Sequence, residues 1–171
     1  GDPIPYVTSR LEWLALTSGA MCYYEHDPQQ YEKHGGLYNW YVIDDPRGIA
    51  PPGWRLPTYD DFNDLDNYLT SIVGGMSAGA ALKARGLEHW VAPNKGIGEY
   101  NMGGDLFDFY ALASGARGNF REDTAYHGIF GNMKEATYYW GMSDNGPTAN
   151  VGALFCISGI FQMAGYYKKH Y

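Results

Sequence analysis

The sequence predicts an α+β fold: a small twisted antiparallel sheet with one or two short helices and long ordered loops. Three observations predict it. One stretch carries a full set of helix signals, several short apolar or aromatic runs lie between turn residues, and 23 Gly with 9 Pro exclude a bundle of long helices. With 171 residues, 45% hydrophobic and only 18% charged, the chain can bury one core, and a single domain over residues 1–171 is expected. The same balance excludes disorder. No apolar run approaches the roughly 18 residues that a membrane span needs, and a net charge of −7 argues against a nucleic-acid partner.

The elements follow in order. Ser9 is a candidate cap for a short helix over Arg10–Leu16, with Leu11, Leu14 and Ala15 on one face. Ala20–Tyr24 and Gly36–Ile43 read as strands, with Asp27-Pro28, Asp45-Pro46 and Pro51-Pro52-Gly53 as turns. Thr58 followed by Asp61 is a capping box, and Asp60 and Asp61 suit the positive end of a helix dipole. Phe62, Leu65, Leu69 and Ile72 then recur at helical spacing until Gly74-Gly75 stops the run. From Trp90 to Phe130 glycines abound and apolar periodicity is lost, which predicts a long irregular loop, uncommon unless it has a task. Tyr138–Met142, Val151–Ile157 and Ile160–Tyr167 are the last strands, separated by Asn145-Gly146-Pro147 and Ser158-Gly159. Trp13, Tyr38, Trp40, Trp54, Trp90 and Trp140 are expected in the core.

Signals for catalysis or metal binding are weak. Asp60, Asp61, Asp64 and Asp66 lie on a helix without the glycine and terminal glutamate of a calcium loop, so they read as a solvated face. Gly74 to Gly79 lacks the Lys-Ser/Thr that closes a phosphate cradle. His26, His34, His89, His127 and His170 form no H-x-x-x-H pair and read as solvated loop residues. Cys22 and Cys156 sit in no metal or redox motif; buried or unpaired thiols are favoured over a long-range disulfide. No G-x-S-x-G elbow is present. No catalysis and no cofactor are expected.

The C-terminal quarter differs. Between Val151 and Phe161 large apolar, tiny and polar residues alternate poorly, so period 2 assigns no clear inside and outside. A fully buried strand pair is one reading. The other is a strand-turn-strand that displays its side chains, because Tyr, Gly, Ser and Asn are residues that binding surfaces favour. On that second reading the candidate ligand-binding residues are Asn145, Asn150, Gly152, Phe155, Cys156, Ser158, Ile160, Phe161, Tyr166 and Tyr167.

Several segments resemble a known family. Gly19-Ala20-x-Cys22-x-Tyr24, Gly36-Leu37-Tyr38-Asn39-Trp40-Tyr41, Pro52-Gly53-Trp54-Arg55-Leu56-Pro57-Thr58, Ala78-Gly79-x-x-Leu82-Lys83 and Trp90 follow the order and spacing of the Fibrobacter succinogenes major paralogous domain. Phe109-Tyr110-Ala111-Leu112, Gly115-x-Arg117, Tyr139-Trp140, Ala149 and Leu154 continue the resemblance over nearly the whole chain. It implies a C-type-lectin-like fold, on secreted or surface proteins of Bacteroidetes-type bacteria and their phages. Two departures stand out: Asn150 replaces the family's usual aromatic, and the closing Gly-Phe-Ser-Val-Arg-Cys strand would begin where the sequence stops at Tyr171.

The resemblance also extends to variable proteins of diversity-generating retroelements, in which adenine-directed mutagenesis rewrites asparagine codons near the C-terminus. Most residues from Asn150 to Tyr167 are outcomes that such codons can reach, whereas Gln162 and Met163 are not. The implied function is non-catalytic display of a variable C-terminal site, outside the cell, on its surface or on a phage virion. The implied ligand is a protein or glycan on another cell or host surface, with no nucleic acid and no membrane span involved. The alternatives are a calcium-independent glycan-binding or structural surface module, and an enzyme resembling the formylglycine-generating branch. The calcium-lectin triplets E-P-N, Q-P-D and W-N-D are absent, and Cys22 and Cys156 lack the local motif such an enzyme needs.

Overall fold

The computed structural model describes residues 2–74, 78–95, 104–118, 127–142, 148–155 and 162–167, and only the main chain of 148–150, 152, 155 and 162–167. Among the described residues, four α-helices and seven strands follow one another: α1 (Arg10–Ala15), β1 (Met21–Cys22), α2 (Pro28–Tyr31), β2 (Leu37–Tyr38), α3 (Trp40–Ile43), α4 (Tyr59–Val73), β3 (Ser114–Gly118), β4 (Ile129–Met133), β5 (Ala136–Gly141), β6 (Thr148–Phe155) and β7 (Gln162–Tyr167). They form three small antiparallel sheets, β1–β2, β3–β4 and β5–β6–β7. The architecture is α+β.

Helix α4 forms where its local chemistry demands. The Thr58 hydroxyl accepts the Asp61 N–H at 3.2 Å, and the Asp61 carboxylate accepts the Thr58 N–H at 2.7 Å, which closes the capping box. Arg55 adds both arms of its guanidinium to the same carboxylate, one of them at 2.7 Å, and Asp61 is held well below the usual carboxylate range by that fork. Phe62 and Leu69 then face a core with Ala81, Leu82, Trp90, Ala111 and Leu154, while Ile72 stays exposed. Trp90 is fully buried and donates its indole N–H to the Ala111 carbonyl at 2.9 Å. Lys83 is equally buried, its ammonium 5.1 Å from the Trp90 ring centroid.

A second cluster holds Val7, Trp13, Ala20 and Cys22, with Leu16, Leu37 and Phe130 packed on it. Buried Arg117 of β3 closes it. Its guanidinium lies 4.4 Å from the Trp13 ring centroid and 5.2 Å from that of Phe130, and donates to the carbonyls of Val7, Thr8 and Gly128 at 2.8–3.2 Å.

Several expectations change. On α1 the buried residue is Trp13, while Leu11, Leu14 and Ala15 are exposed, because the helix packs Trp13 into the cluster that Arg117 closes. Tyr24 leaves the first strand for a 3-10 turn in which Glu25 and His26 are left-handed (φ 49 and 61). Trp40–Ile43 is a helical turn rather than strand. The Asn39 side chain takes the Ala20 N–H and donates to the Ser18 carbonyl, so the ladder ends and burial of Trp40 and Val42 overrides their β propensity. The stretch from Trp90 to Phe130 contains β3 and the start of β4. Gly115 there has φ +64, and a Cβ would stand 2.6 Å from the Gly131 carbonyl oxygen and 2.7 Å from the Tyr24 ring, so this glycine marks a close approach within a hairpin. Trp54 is 78% exposed, because the turn Pro51–Trp54, closed by the Trp54 N–H on the Pro51 carbonyl, leaves residues 51–55 all on the surface.

Thr58→Ala removes one half of the capping box and should cost about 0.5–2 kcal/mol in chemical denaturation. An unchanged midpoint would mean that the Arg55–Asp61 fork alone fixes the helix start.

Candidate functional site

The C-terminal sheet is anchored to the rest of the fold through β5. In β5, Ala136, Thr137 and Gly141 are buried, and the Asn132 amide donates to the Tyr138 hydroxyl at 2.8 Å. Trp140 donates its indole N–H to the Tyr38 carbonyl at 2.9 Å and meets Trp40 edge-on at 5.9 Å. Strand β6 is central, paired with β5 on one side and β7 on the other. Val151, Ala153 and Leu154 are its buried anchors, so one stretch of β6 is covered on both faces. Beyond Gly141, the Met142 N–H reaches the Pro57 carbonyl at 2.7 Å and ties this end of the sheet to the start of α4.

The register divides the candidate residues. Asn150 pairs with Gly141 and Gly165, Tyr166 with Ala149 and Tyr167 with Thr148, all at one end of the sheet. Gly152 is in the middle, opposite Tyr139 and Met163. Phe155 pairs with Ala136 at the far end, five positions and about 17 Å along the strand from Asn150. Asn145, Cys156, Ser158, Ile160 and Phe161 lie outside the described residues. The main chain therefore puts Asn150, Tyr166 and Tyr167 at one end of the sheet, with Tyr166 at a register position of the opposite face, and sets Phe155 apart.

Sequence reasoning missed Tyr139 and Phe109. The half-buried Tyr139 ring, directly opposite Gly152, receives the edge of the exposed Phe109 ring at 5.9 Å. The Phe109-Tyr110 pair was visible as part of a family-like block, but nothing local places it beside the sheet. Trp54 was assigned to the core because its neighbours are Gly and Pro; the turn they build exposes it.

The titratable groups are more enclosed than the sequence suggested. His89 is buried, its ring 5.6 Å from that of His34 and its Nε2 3.4 Å from the Glu88 carboxylate. Burial lowers the His34 pKa, and the facing His89, Lys134 and Lys33 lower it further. His26 is likewise lowered by burial and by Arg117, against a hydrogen bond to the Thr8 carbonyl. The expectation of solvated loop histidines fails for these residues, because the segments that carry them fold over the β3–β4 hairpin: His26 packs edge-on against Phe130 at 5.0 Å, and the His34 carbonyl accepts the Ser114 hydroxyl at 2.9 Å. Cys22 is a buried free thiol whose pKa burial pushes up, which suits packing rather than nucleophilic attack. Among the described residues no group of three or more His, Cys, Asp or Glu side chains could hold a metal ion, and no helix is long and apolar enough to cross a membrane.

The lowered imidazoles give a pH dependence of known sign. Above pH 6.5 they are neutral in folded and unfolded chains alike, and their full contribution is present. As the pH falls below 6.5, the unfolded chain takes up protons that the folded one resists, and stability is lost through the lowered folded pKa values. Calorimetric melts should therefore show Tm falling between about pH 6.5 and 5, less steeply in His34→Asn. A flat profile over that window would contradict the enclosure of these rings. Asp45, which Arg47 holds at about 2, acts only in a separate window below the ordinary carboxylate range of 3.8.

No curated protein and no solved structure matches the chain. The model of the Fibrobacter succinogenes major domain family matches residues 1–171, and the chain belongs to that family.

Proposed function

We propose that this domain is a non-catalytic ligand-binding module whose variable site is carried by the β6–β7 strand-turn-strand, as in target proteins of diversity-generating retroelements. One observation supports the reading above the others. Strand β6 is held by ladder bonds on both sides and by three small or aliphatic anchors, so its path depends little on which side chains occupy the remaining positions. A segment built that way tolerates rewriting of its side chains. The register puts Asn150, Tyr166 and Tyr167 at one end of the sheet and Phe155 at the other; Asn145, Cys156, Ser158, Ile160 and Phe161 join the proposed site on the sequence reading alone. The ligand is a protein or glycan on another cell or host surface, and the setting is the bacterial exterior or a phage virion.

Single substitutions of Phe155, Phe161, Tyr166 and Tyr167 to Ala test this by thermal and denaturant melts alone. Leu154 and Trp140 are the packed controls: Leu154 is fully buried, and Trp140 is bonded to Tyr38 and meets Trp40 edge-on. Leu154→Ala should cost about 2–5 kcal/mol, whereas the four display positions should stay within about 0.5 kcal/mol. Costs at those four equal to the controls would make the segment core and end the proposal. In the neighbouring DNA, a reverse-transcriptase gene beside a near-copy of the codons for residues 138–171 would establish diversification, and its absence would leave a fixed surface-binding domain.

A further inference from the structure

Outside the C-terminal sheet, one stretch of surface is aromatic without a folding reason. Within residues 105–110 the side chains of Leu106, Phe107, Phe109 and Tyr110 are between 38% and 52% exposed. Phe107 leans on the exposed Tyr68 of α4, ring centroids 6.0 Å apart, and Phe109 on Tyr139. Each ring thus has one side on the protein and the rest in solvent. An exposed apolar patch of this kind marks an interaction site more often than an accident.

The backbone beneath is rigid and strained. Asp105, Asp108 and Tyr110 all have positive φ (39, 53 and 52), a conformation costly for residues other than glycine. Main-chain bonds to the buried Ala81–Leu82 segment enforce it: the Leu106 N–H to the Ala81 carbonyl at 2.8 Å and the Ala111 N–H to the Leu82 carbonyl at 2.9 Å. The Asp105 carboxylate takes the Tyr110 N–H at 2.8 Å. A loop strained and bolted in place that still leaves its largest apolar side chains in water is organised for presentation.

Charge selects the occupant. Asp64 is one helical turn before Tyr68, Asp105 and Asp108 flank Phe107, and Glu88 adjoins His89, whose ring packs 6.0 Å from Tyr110. Against these stands Arg85, whose Nε is engaged by the Gly104 carbonyl at 2.8 Å. With a chain net charge of −7, a second copy of this surface would be repelled. We infer that the 105–110 loop and Tyr68 form a second, fixed docking surface for a protein segment that alternates aliphatic and basic side chains. The rings take the aliphatic groups and the faces of cations, and the carboxylates take the charges. Through the Phe109–Tyr139 contact this surface adjoins the C-terminal sheet, but none of its residues belongs to β6 or β7, so it does not rest on the reading of those strands.

The test uses a short labelled peptide alternating Leu and Lys, its Leu–Glu counterpart, and fluorescence anisotropy at low and physiological salt. The basic peptide should bind at least about tenfold tighter than the acidic one, with affinity falling as salt rises. Phe107→Ala and Phe109→Ala should each weaken it about tenfold, Asp64→Asn and Asp108→Asn should weaken it and flatten the salt dependence, and Leu11→Ala on α1 should change nothing. Equal binding of both peptides would overturn the inference, as would binding indifferent to the two Asn variants, which leave the rings and the fold in place. Self-association of the chain that Phe107→Ala abolishes would also overturn it, by making a second copy the occupant.

Discussion

A buried guanidinium joins the N-terminal third of this domain to its central hairpin. Arg117 is 5% exposed, lies against Trp13 and Phe130, and spends its donors on the carbonyls of Val7, Thr8 and Gly128. Burying an unsatisfied charge would cost several kcal/mol, so these bonds and rings must form together or not at all. The chain before α1, helix α1, β3 and β4 are consequently ordered as one unit. Lysine could not substitute, because a point charge lacks the planar fork that reaches two segments at once. The same charge lowers the neighbouring imidazole of His26 and partly offsets the burial of the Cys22 thiol, so one residue sets much of the electrostatics of that cluster.

The second core works differently. There Trp90, Lys83 and Asn94 are buried polar-edged side chains set among alanines, with Asn94 donating to the carbonyls of Ala84 and Gly86. Small residues let main chain approach main chain, and the few large groups supply hydrogen bonds that irregular segments would otherwise lack. Short elements need this. With sheets of two or three strands and helices of mostly four to six residues, the fold relies on side chains that satisfy loop backbone. One outcome is a division of labour. Framework duties fall on tryptophans, one arginine, one lysine and two asparagines, with Tyr24 and Phe62 beside them, while Tyr6, Tyr59, Tyr68, Phe107, Phe109 and Tyr110 stand exposed.

Local signals were legible and tertiary ones were not. Helix α4 could be read from Thr58, Asp61 and the spacing of Phe62 and Leu69, because its cap and its face are encoded within a few residues. For helix α1 only the Ser9 cap was legible: the expected face of Leu11, Leu14 and Ala15 is exposed, and Trp13 is the buried residue. The β3–β4 hairpin was hidden, since the need for glycine at 115 comes from Gly131 and Tyr24, distant in sequence. Trp40 is buried as expected but helical rather than extended, because the Asn39 side chain ends the ladder, whereas a proline turn exposes Trp54. The late strand pair that carries the candidate residues was readable, but the separation of Asn150 from Phe155 along β6 depends on register, which no residue announces.

If interior residues alone carry the fold, two altered chains should behave in opposite ways when melted side by side. In one, the exposed Tyr68, Phe107, Phe109 and Tyr110 are all changed to Ser; in the other, Arg117 alone is changed to Lys. The account predicts that the fourfold surface variant keeps a cooperative transition within about 2 kcal/mol of the parent, following roughly 0.5 kcal/mol per exposed position. Arg117→Lys should lose about 3–5 kcal/mol despite retaining its charge. A stable lysine variant beside an unfolded surface variant would contradict it.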